Sequence, residues 1–370
     1  MDKIYLDYNA STPIDAEVVK AMAPFLEGAW GNPSSLHWAS LQAKEAYQTA
    51  KIQIADRIGA LPSQIVMTSE GSKSNNLALK GVFFSQATKG KHIITSSIEH
   101  PAVLEPLSFL TRFGAEITYL PVDAFGRVNP DDLKKAIRSD TILVSIMHAN
   151  NEIGTIQDIA ALAGIAHDQG VLFHTDAAQS VGKIPVDVGT LGVDLLTIAG
   201  HKIYAPKGVG SLYVGEKAAL EPLIHGGGQE NGRRAGTESA LMAVALGKAC
   251  EILQVPDPLL KEMKEYFISH LQEQFGPKIF LNGDIEHSLP NTVNVSFLGH
   301  SGAEILASLP LLAASTGSAC HSGSAKLSGI FREIGASEER ARGAIRFSLG
   351  RHTTYEELDQ ALSMLATSIS

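Results

Sequence analysis

The fold is indicated most clearly by the stretch Leu195-Leu196-Thr197-Ile198-Ala199-Gly200-His201-Lys202. An apolar run that is typical of a buried strand ends there in a His-Lys pair, and such polar side chains at a strand end are candidates for a functional site. Burial favours the neutral amine of a lysine over its charged form. A neutral amine is the group that condenses with an aldehyde to form a Schiff base. Lys202 is therefore a candidate catalytic residue, although a lysine after a strand is more often a solvated loop residue.

A second apolar run, Val171-Leu172-Phe173, ends in His174-Thr175-Asp176-Ala177-Ala178-Gln179, so a carboxylate and an amide also follow a strand. Taken alone, Asp176 is typical of a helix cap or a turn. However, an acid that keeps a pyridine nitrogen protonated and a lysine that forms an imine are the minimum that a protein supplies to pyridoxal phosphate. The pair Asp176 and Lys202 therefore favours a pyridoxal phosphate site.

Apolar runs alternate with amphipathic stretches through the first two thirds of the chain. The predicted strands are 64–68, 92–96, 116–120, 142–147, 172–174, 195–198 and 211–214, and the predicted helices between them include 43–58, 74–84, 131–137 and 159–169. Because these strands lack strict alternation and are separated by helices, we predict an α/β fold with a mainly parallel central sheet covered by helices on both faces. Ligands of such sheets bind beyond the carboxyl ends of the strands.

The proline-rich stretch Val255-Pro256-Asp257-Pro258 follows a predicted helix at 237–253 and indicates a domain boundary. We predict a large cofactor-binding domain of residues 12–257. Residues 1–11 and 258–370 are predicted to form a smaller α+β domain that carries the loop around Cys320. Helices at 259–274 and 355–368 and a strand at 292–297 are expected in this smaller domain.

Composition narrows the class of protein. The chain has 370 residues, 44% of them hydrophobic, and a net charge of −9, which argues against nucleic acid or an anionic membrane surface as a partner. We expect neither a signal peptide nor a membrane span. Two cysteines, Cys250 and Cys320, favour a reducing, cytoplasmic setting over a disulfide framework. No metal site is expected.

Two glycine-rich stretches are candidates for binding a phosphate group. Thr68-Ser69-Glu70-Gly71-Ser72-Lys73-Ser74-Asn75-Asn76 follows a predicted strand and opens a helix, where free amides can bind an anion; the alternative is an ordinary helix cap. Gly226-Gly227-Gly228-Gln229-Glu230-Asn231-Gly232-Arg233-Arg234-Ala235-Gly236-Thr237 combines glycines, cations and a hydroxyl before a helix; the alternative is a flexible surface loop.

Further polar side chains follow other strands. His100, in Ile98-Glu99-His100-Pro101, could stack on a cofactor ring and transfer protons, although a lone histidine is more often a packed or capping residue. Asn151 follows the predicted strand 142–147 and could bind cofactor or substrate oxygens. Arg346, in Arg346-Phe347-Ser348-Leu349-Gly350-Arg351, is suited to bidentate binding of a carboxylate, with a surface ion pair as the alternative.

The two cysteines differ in their surroundings. Cys250 lies in an apolar helical pattern and is expected to be a structural hydrophobe. Cys320 lies in the small, polar stretch Ser315-Thr316-Gly317-Ser318-Ala319-Cys320-His321-Ser322-Gly323-Ser324, which predicts a mobile loop that exposes the thiol. The adjacent His321 could favour its thiolate.

Together these motifs resemble one family, the cysteine desulfurases, which are fold-type I, class V aminotransferase-like pyridoxal phosphate enzymes. The motifs that carry the resemblance lie at 5–13, 31–35, 98–101, 150–155, 175–179, 200–204, 226–237 and 346–351, in the family's order and across essentially the whole chain. The stretch after Cys320 is similar to the long-loop group, which supplies sulfur to iron–sulfur cluster assembly. The tetrapeptide Ala319-Cys320-His321-Ser322 and Trp30 also resemble selenocysteine lyases.

The resemblance implies roles for the residues around the cofactor ring. Lys202 would form the Schiff base, Asp176 would pair with the pyridine nitrogen, and Gln179 would contact the ring hydroxyl. His100 would stack on the ring as a cofactor-binding and catalytic residue.

The resemblance also implies roles at the two ends of the site. The phosphate would be bound by Gly71, Ser72 and His201, and by Thr237 of a neighbouring subunit, so the active unit would be a homodimer. Asn151 would contact both cofactor and substrate, and Arg346 would bind the substrate carboxylate. Cys320 would attack the substrate sulfur.

Three residues depart from the family pattern. Ala199 stands where these enzymes usually have a phosphate-binding serine, Lys73 replaces a glutamate, and Asn231 replaces a common arginine. The first two could weaken or re-route phosphate binding. None of the three removes a residue that the chemistry requires.

The expected activity is conversion of L-cysteine to L-alanine, with the sulfur left on Cys320 as a persulfide and passed to a protein acceptor such as an iron–sulfur scaffold. A selenocysteine lyase, converting L-selenocysteine to L-alanine and selenide, remains an alternative. Another amino-acid lyase or a transaminase on this fold is a further alternative. A non-catalytic assembly scaffold is a third, and the presence of Lys202, Asp176, Gln179 and His100 together argues against it.

Overall fold

The structure is a computed structural model that describes residues 3–316 and 328–369. Within them the strands are β1 (Ile4–Tyr5), β2 (Ile65–Thr68), β3 (His92–Ser96), β4 (Glu116–Leu120), β5 (Thr141–Ser145), β6 (Leu172–Asp176), β7 (Leu195–Ala199), β8 (Gly210–Val214), β9 (Ile279–Asn282), β10 (Thr292–Phe297), β11 (Leu312–Ala313) and β12 (Ala344–Ser348). The helices are α1 (Ala16–Glu27), α2 (Leu41–Ile58), α3 (Gly71–Ser85), α4 (Pro101–Leu110), α5 (Pro130–Ala136), α6 (Ile159–Asp168), α7 (Val188–Leu191), α8 (Ala240–Glu251), α9 (Pro258–Phe275), α10 (Gly302–Ser308), α11 (Gly329–Glu333), α12 (Glu338–Arg342) and α13 (Tyr355–Ile369).

A central sheet of seven strands organises the first two thirds of the chain, in the order β2-β8-β7-β6-β5-β3-β4. Strands β7, β6, β5, β3 and β4 run parallel to one another, whereas β8 is antiparallel to both β7 and β2. The predicted mainly parallel α/β sheet is therefore confirmed. Each predicted strand is present, with ends that differ by no more than about two residues, the usual uncertainty of such boundaries.

Helices cover both faces of this sheet, as its wholly buried strands require. In β7, Leu195 packs into one apolar cluster, while Leu196 and Ile198 pack into another, which is the two-residue period of a strand. The first cluster includes side chains of α3 and α4, and the second includes side chains of α2, α6 and α8. Burial on both sides explains why these strands read as continuous apolar runs.

A second sheet, of three antiparallel strands in the order β12-β10-β9, lies in the last third of the chain. It packs against α9 and α13 through a separate apolar cluster that contains Phe267, Phe297, Phe347 and Leu358. The short pair β1–β11 adjoins it, with Ile4 beside Leu312 in parallel register. The division of the chain at residue 257 into two domains stays a prediction.

The segment that follows β1 runs from the second sheet to the central one. Asp7 forms a bridge with Ser348 at the end of β12, and Asn9 donates a hydrogen bond to the main-chain oxygen of Asn151, beyond β5. The carboxyl ends of the central strands are therefore faced by this segment and by β12. Among the described residues, no helix is both long and apolar enough to cross a membrane.

Candidate active site

Four neighbouring parallel strands of the central sheet each lead into a residue singled out from the sequence. The strands β7, β6, β5 and β3 are adjacent in that order, and Lys202, Asp176, Asn151 and His100 lie at or just beyond their carboxyl ends. Because the carboxyl ends of parallel strands meet at one edge of a sheet, residues far apart in sequence are brought together there. The structure thus places these four predicted residues at one edge.

Lys202 is held in a tight turn, Gly200–Lys202, directly after β7. A Cβ at Gly200 would lie 2.8 Å from the main-chain oxygen of Val209, so the turn needs glycine at this position. Thr12 fixes the turn from outside: its main-chain N–H and its hydroxyl both donate to the main-chain oxygen of His201, at 2.9 and 3.1 Å. The backbone that presents Lys202 is therefore well defined.

Within the described part of the chain, the Lys202 amine donates only to main-chain oxygens, those of Asn9 at 2.5 Å and Ala10 at 2.8 Å. Burial, together with the nearby Arg346 guanidinium, lowers the pKa of Lys202 to about 8, against the opposing charges of Asp7 and Asp176. About a tenth of the amine is then neutral at pH 7, far more than for a lysine with the usual pKa of about 10.4. This is the state that the sequence argument required for Schiff-base formation.

Asp176, at the end of β6, is buried and has both carboxylate oxygens fixed. The Ala178 main-chain N–H donates to Oδ1 at 2.9 Å, and the Asn75 amide donates to Oδ2 at 2.7 Å. These hydrogen bonds fix the orientation of a carboxylate that could accept a hydrogen bond from a ring N–H. The sequence pattern placed Asn75 only in a possible phosphate cradle and did not reveal its contact with Asp176.

Gln179 is buried beside Asp176, and both ends of its amide have partners. Its Nε2 donates to the main-chain oxygen of Asn9 at 3.0 Å, and its Oε1 accepts from the amine of Lys183 at 2.6 Å. Neither Asn9 nor Lys183 was singled out from the sequence. A lysine within the apolar stretch Val181-Gly182-Lys183-Ile184 was the available signal, since a charged residue is rarely placed in such a run without a partner.

His100 is the N-cap residue of α4 and is partly exposed. Its Nδ1 accepts from the Ala102 main-chain N–H at 3.0 Å, which leaves the proton of the neutral ring on Nε2. Burial lowers the pKa of His100, the Asp176 charge opposes this, and the Lys202 amine adds to it. The ring is therefore neutral near pH 7, and an aromatic face and one N–H donor remain available.

The start of α3 forms the candidate phosphate end. The side chain of the N-cap residue, Glu70, caps none of the first main-chain N–H groups of this fifteen-residue helix. A Cβ built on Gly71 would lie 3.1 Å from the Cβ of Ala199, so β7 and α3 approach closely here. Ser72 follows on the exposed side. Free N–H groups at a helix start form an anion site.

His201 follows two residues after Ala199, whose Cβ faces this helix start. Its Nδ1 is buried without a hydrogen-bond partner among the described residues. Burial, together with the adjacent Lys202, lowers the pKa of His201 to about 4. The neutral ring therefore has an unused polar atom, which is the kind of group that a bound phosphate oxygen would satisfy.

Thr237 is exposed and lines a cavity of about 570 Å³ together with Ser72, Thr68, Ser69 and Arg234. The remaining lining is mainly apolar. The two predicted phosphate-binding stretches thus meet at one cavity within a single chain. The sequence assigned Thr237 to a neighbouring subunit, and that assignment stays a prediction.

The opposite end of the site contains Arg346, which is buried on β12. Its Nη2 donates to Asp7 Oδ1 at 2.6 Å, and its Nη1 donates to the main-chain oxygen of Asn151 at 2.9 Å. Its Nε is buried without a partner in the described chain. An oriented guanidinium with a free donor edge can bind a carboxylate. Asp7, whose importance the sequence did not reveal, is a principal partner of Arg346.

Of the two cysteines, Cys250 lies in the described part of the chain and Cys320 does not. Cys250 is buried in α8, and burial raises its pKa to about 12, which agrees with a structural role. Cys320 lies outside the described residues, as do His321 and the rest of 317–327. Before this gap, Ser315 donates its hydroxyl to Asp7 Oδ2 at 2.9 Å.

The donor set fits pyridoxal 5'-phosphate. The amine of Lys202 has no carboxylate hydrogen-bonded to it among the described residues, and the Asp176 carboxylate is fixed nearby. The start of α3 has free N–H groups, and within the same described residues the Nδ1 of His201 is unpartnered. These observations, on a mainly parallel sheet, define a fold-type I pyridoxal phosphate protein.

Comparisons with known proteins narrow this class. The family model described as aminotransferase class V matches residues 4–361. The chain is 51% identical to the cysteine desulfurase IscS of Dictyoglomus turgidum, over 98% of this chain and 93% of that protein. It is 46% identical to the cysteine desulfurase IscS of Escherichia coli strain E24377A, over 99% of this chain and 92% of that protein.

Two solved structures are similar to this chain over nearly its whole length. A structure titled NifS-like protein is similar with a TM-score of 0.92 and 35% identity, over 99% of this chain and 98% of that chain. A structure titled SspA in complex with cysteine gives a TM-score of 0.85 and 38% identity, over 95% of this chain and 100% of that chain. The chain belongs to the class V aminotransferase family, among relatives that are cysteine desulfurases. The cofactor of this family is pyridoxal 5'-phosphate.

Proposed function

We propose that this protein is a pyridoxal phosphate-dependent cysteine desulfurase, which converts L-cysteine to L-alanine and leaves the sulfur on Cys320 as a persulfide. The observation that carries the proposal is the Lys202 amine, which in the described part of the chain is hydrogen-bonded only to main-chain oxygens, between Asp176 and Arg346. The 51% identity to a cysteine desulfurase specifies the reaction. When bound, the cofactor withdraws electrons from the substrate carbon that bears the amino group.

The protein's own residues bind and orient the reactants. Lys202 would hold the cofactor through its amine, and that Nζ could also carry a proton. Asp176 would pair with the ring nitrogen, because both of its oxygens are oriented by hydrogen bonds. Arg346 binds the substrate carboxylate through its free Nε edge, and its contact with Asn151 fixes the guanidinium plane.

His100, Gln179 and the helix start position the cofactor. The neutral His100 ring covers one face of the site and offers its Nε2 proton. Gln179 offers an amide N–H to the ring hydroxyl. Gly71 and Ser72 at the start of α3, with His201, hold the phosphate.

The sulfur-transfer step balances without an external oxidant. The Cys320 thiolate attacks the substrate sulfur, an S–S bond forms, and the C–S bond breaks with its electron pair left on carbon, which is then protonated to alanine. A free thiol has a pKa of about 8.5, so a fraction is thiolate near neutral pH. A reductant or an acceptor thiol is needed only afterwards, to remove the second sulfur.

The direct test is a product assay with L-cysteine and a thiol reductant, in which alanine and sulfide are measured for the wild type and for Cys320→Ala. We expect equal amounts of alanine and sulfide from the wild type and loss of most turnover in the variant. Undiminished sulfide release by Cys320→Ala would remove the assigned nucleophile. A parallel assay with L-selenocysteine tests the lyase alternative, which the relatives found do not favour.

We infer that the active unit is a homodimer in which Thr237 completes the phosphate site of the neighbouring subunit, and that the sulfur acceptor is a protein such as an iron–sulfur scaffold. The proposed setting is the cytoplasm, on the basis of cysteine usage. The proposed domains are residues 12–257 and residues 1–11 with 258–370. A catalytically active monomer in light scattering would contradict the assignment of Thr237.

A further inference from the structure

Lys183 is a buried lysine that the proposed reaction does not use. Its side chain lies in the interior behind Gln179, and its amine contacts two neutral oxygens, Asn9 Oδ1 at 2.8 Å and Gln179 Oε1 at 2.6 Å. No carboxylate pairs with it among the described residues. Burying an amine without a counter-ion is costly, and burial lowers the pKa of Lys183 well below its usual value. A buried lysine amine without a counter-ion is therefore a candidate for a specific function.

The contacts with Lys183 and with the Asn9 main-chain oxygen together determine which way the Gln179 amide faces. The oxygen and nitrogen of an amide have nearly the same shape, so only their partners distinguish them. The Lys183 amine donates to the amide oxygen, which places that oxygen on the Lys183 side. The Gln179 nitrogen must then face away from Lys183. One of its hydrogens is donated to the main-chain oxygen of Asn9, at 3.0 Å, and the second remains available.

Asn9 contacts both Lys183 and Gln179 and connects them to Lys202. Its side-chain oxygen accepts from Lys183, while its main-chain oxygen accepts from both Gln179 and Lys202. Its own amide nitrogen donates to the Thr292 hydroxyl at 2.8 Å, so Asn9 is itself fixed from the second sheet. Lys183, Gln179 and Asn9 therefore form a closed ring of hydrogen bonds, to which the Schiff-base lysine is attached.

We propose that Lys183 is a positioning residue that turns the Gln179 amide so that its free N–H points at the ring hydroxyl of the cofactor. The proposal rests on the proposed function, since it assumes that the cofactor binds at Lys202. A donor at the ring oxygen stabilises its anion and so weakens the hold of that oxygen on the proton shared with the Lys202 nitrogen. Loss of Lys183 would remove one of the two contacts that orient the amide, the other being the hydrogen bond to the Asn9 main-chain oxygen. The donor at the ring oxygen would then be less well fixed, and that proton would be held more tightly.

The test is a pH titration of the visible absorbance of the bound cofactor in purified holoenzyme. We expect Lys183→Met to raise the titration midpoint by about half a unit or more, since about 1 kcal/mol of hydrogen bonding corresponds to this shift. The matched control is Lys264→Met. Lys264 is another buried lysine, but its amine donates to Ser288 and Leu289 and to none of the cofactor residues. Both variants should melt at lower temperature, and only Lys183→Met should move the midpoint.

A double-variant cycle tests whether Lys183 acts through Gln179. Gln179→Ala should raise the midpoint by itself, and adding Lys183→Met should raise it no further. Additive shifts would show that Lys183 acts independently of the amide and would overturn the proposal. If Lys183→Met does not fold, Lys183→Gln, which keeps a polar group but is no longer an obligatory donor, should shift the midpoint in the same direction.

The failures of the two proposals are distinguishable. A wild-type protein that shows no visible band after incubation with pyridoxal phosphate would refute the cofactor assignment itself. A wild-type band with a normal titration, together with an unchanged midpoint in Lys183→Met holoenzyme, would refute only the role of Lys183.

Discussion

At the scale of single residues, the reactivity of this protein depends on how the amine of Lys202 is solvated. Two main-chain oxygens accept its N–H groups, and no carboxylate in the described part of the chain is hydrogen-bonded to it. Main-chain oxygens stabilise the ammonium less than an ion pair would, and burial opposes it. The amine therefore loses its proton at a lower pH than a surface lysine.

The first prediction is that Lys202 in cofactor-free protein reacts with an aldehyde along a pH profile centred near its lowered pKa of about 8. The neutral amine is the nucleophile, so trapping with pyridoxal and cyanoborohydride should become faster as pH rises through this value. The measurement is the adduct mass at Lys202, with Lys202→Ala as the control. A rate that rises only near the usual lysine pKa of about 10.4 would contradict it.

The second prediction concerns Asp7, which orients Arg346. Asp7 takes one hydrogen of Nη2 and the main-chain oxygen of Asn151 takes one of Nη1, so the Nε edge remains for the substrate. We expect Asp7→Ala to raise KM for L-cysteine about tenfold with a smaller change in kcat, because a charge-assisted hydrogen bond contributes about 1.5–3 kcal/mol. Ser315→Ala, which removes only a hydrogen bond to Asp7, is the milder control. An unchanged KM in Asp7→Ala would show that Arg346 needs no orienting carboxylate.

At the scale of elements, the phosphate end depends on how β7 and α3 approach each other. Because a Cβ added to Gly71 would come within 3.1 Å of the Ala199 Cβ, the side chain at position 199 points at the helix start. A methyl group there offers no hydrogen bond. The serine that the family usually has at this position would add one hydroxyl donor.

The third prediction is therefore that Ala199→Ser slows the release of pyridoxal phosphate. One added hydrogen bond to a charged group corresponds to a change of about tenfold in dissociation rate. The measurement is the loss of the visible band on dilution into an excess of an aldehyde-trapping reagent. Ala199→Val, which adds bulk without a donor, should speed release. Faster release from the serine variant would show that the hydroxyl crowds α3.

The elements also show what could be predicted from sequence. Strands such as β3 and β7 are buried on both faces, so their apolar runs were visible locally, and the residues after them were correctly placed at one sheet edge. The hydrogen-bond partners of these residues could not be predicted from local sequence patterns. Asp7 and Arg346 are 339 positions apart, and Asn75 and Asp176 are 101 apart. Such pairs depend on how whole elements pack, for which no local pattern exists.

At the scale of the whole molecule, one buried acid couples folding to pH. Glu99 lies just after β3 and is completely enclosed. Its Oε1 accepts from the Ser96 hydroxyl at 2.5 Å and from the Met147 main-chain N–H at 2.8 Å, and its Oε2 has no partner among the described residues. Burial raises the pKa of Glu99 to about 8, from 4.5 in the absence of the fold. The folded protein thus retains a proton that the unfolded chain releases.

The fourth prediction follows from the sign of that shift. A raised pKa contributes stability that is complete below about pH 4.5 and is lost as pH rises towards about 8. Glu99→Gln cannot ionise, so its unfolding free energy minus that of the wild type should increase over this window, with a slope of at most about 1.4 kcal/mol per pH unit. Urea unfolding of both holoenzymes at a series of pH values, with equal cofactor, measures this difference. His148 and His174, whose pKa values burial lowers to about 4, are common to both proteins and cancel. A difference that does not change with pH would mean that the wild-type carboxyl is ionised, with the enclosed Oε2 paired to a donor.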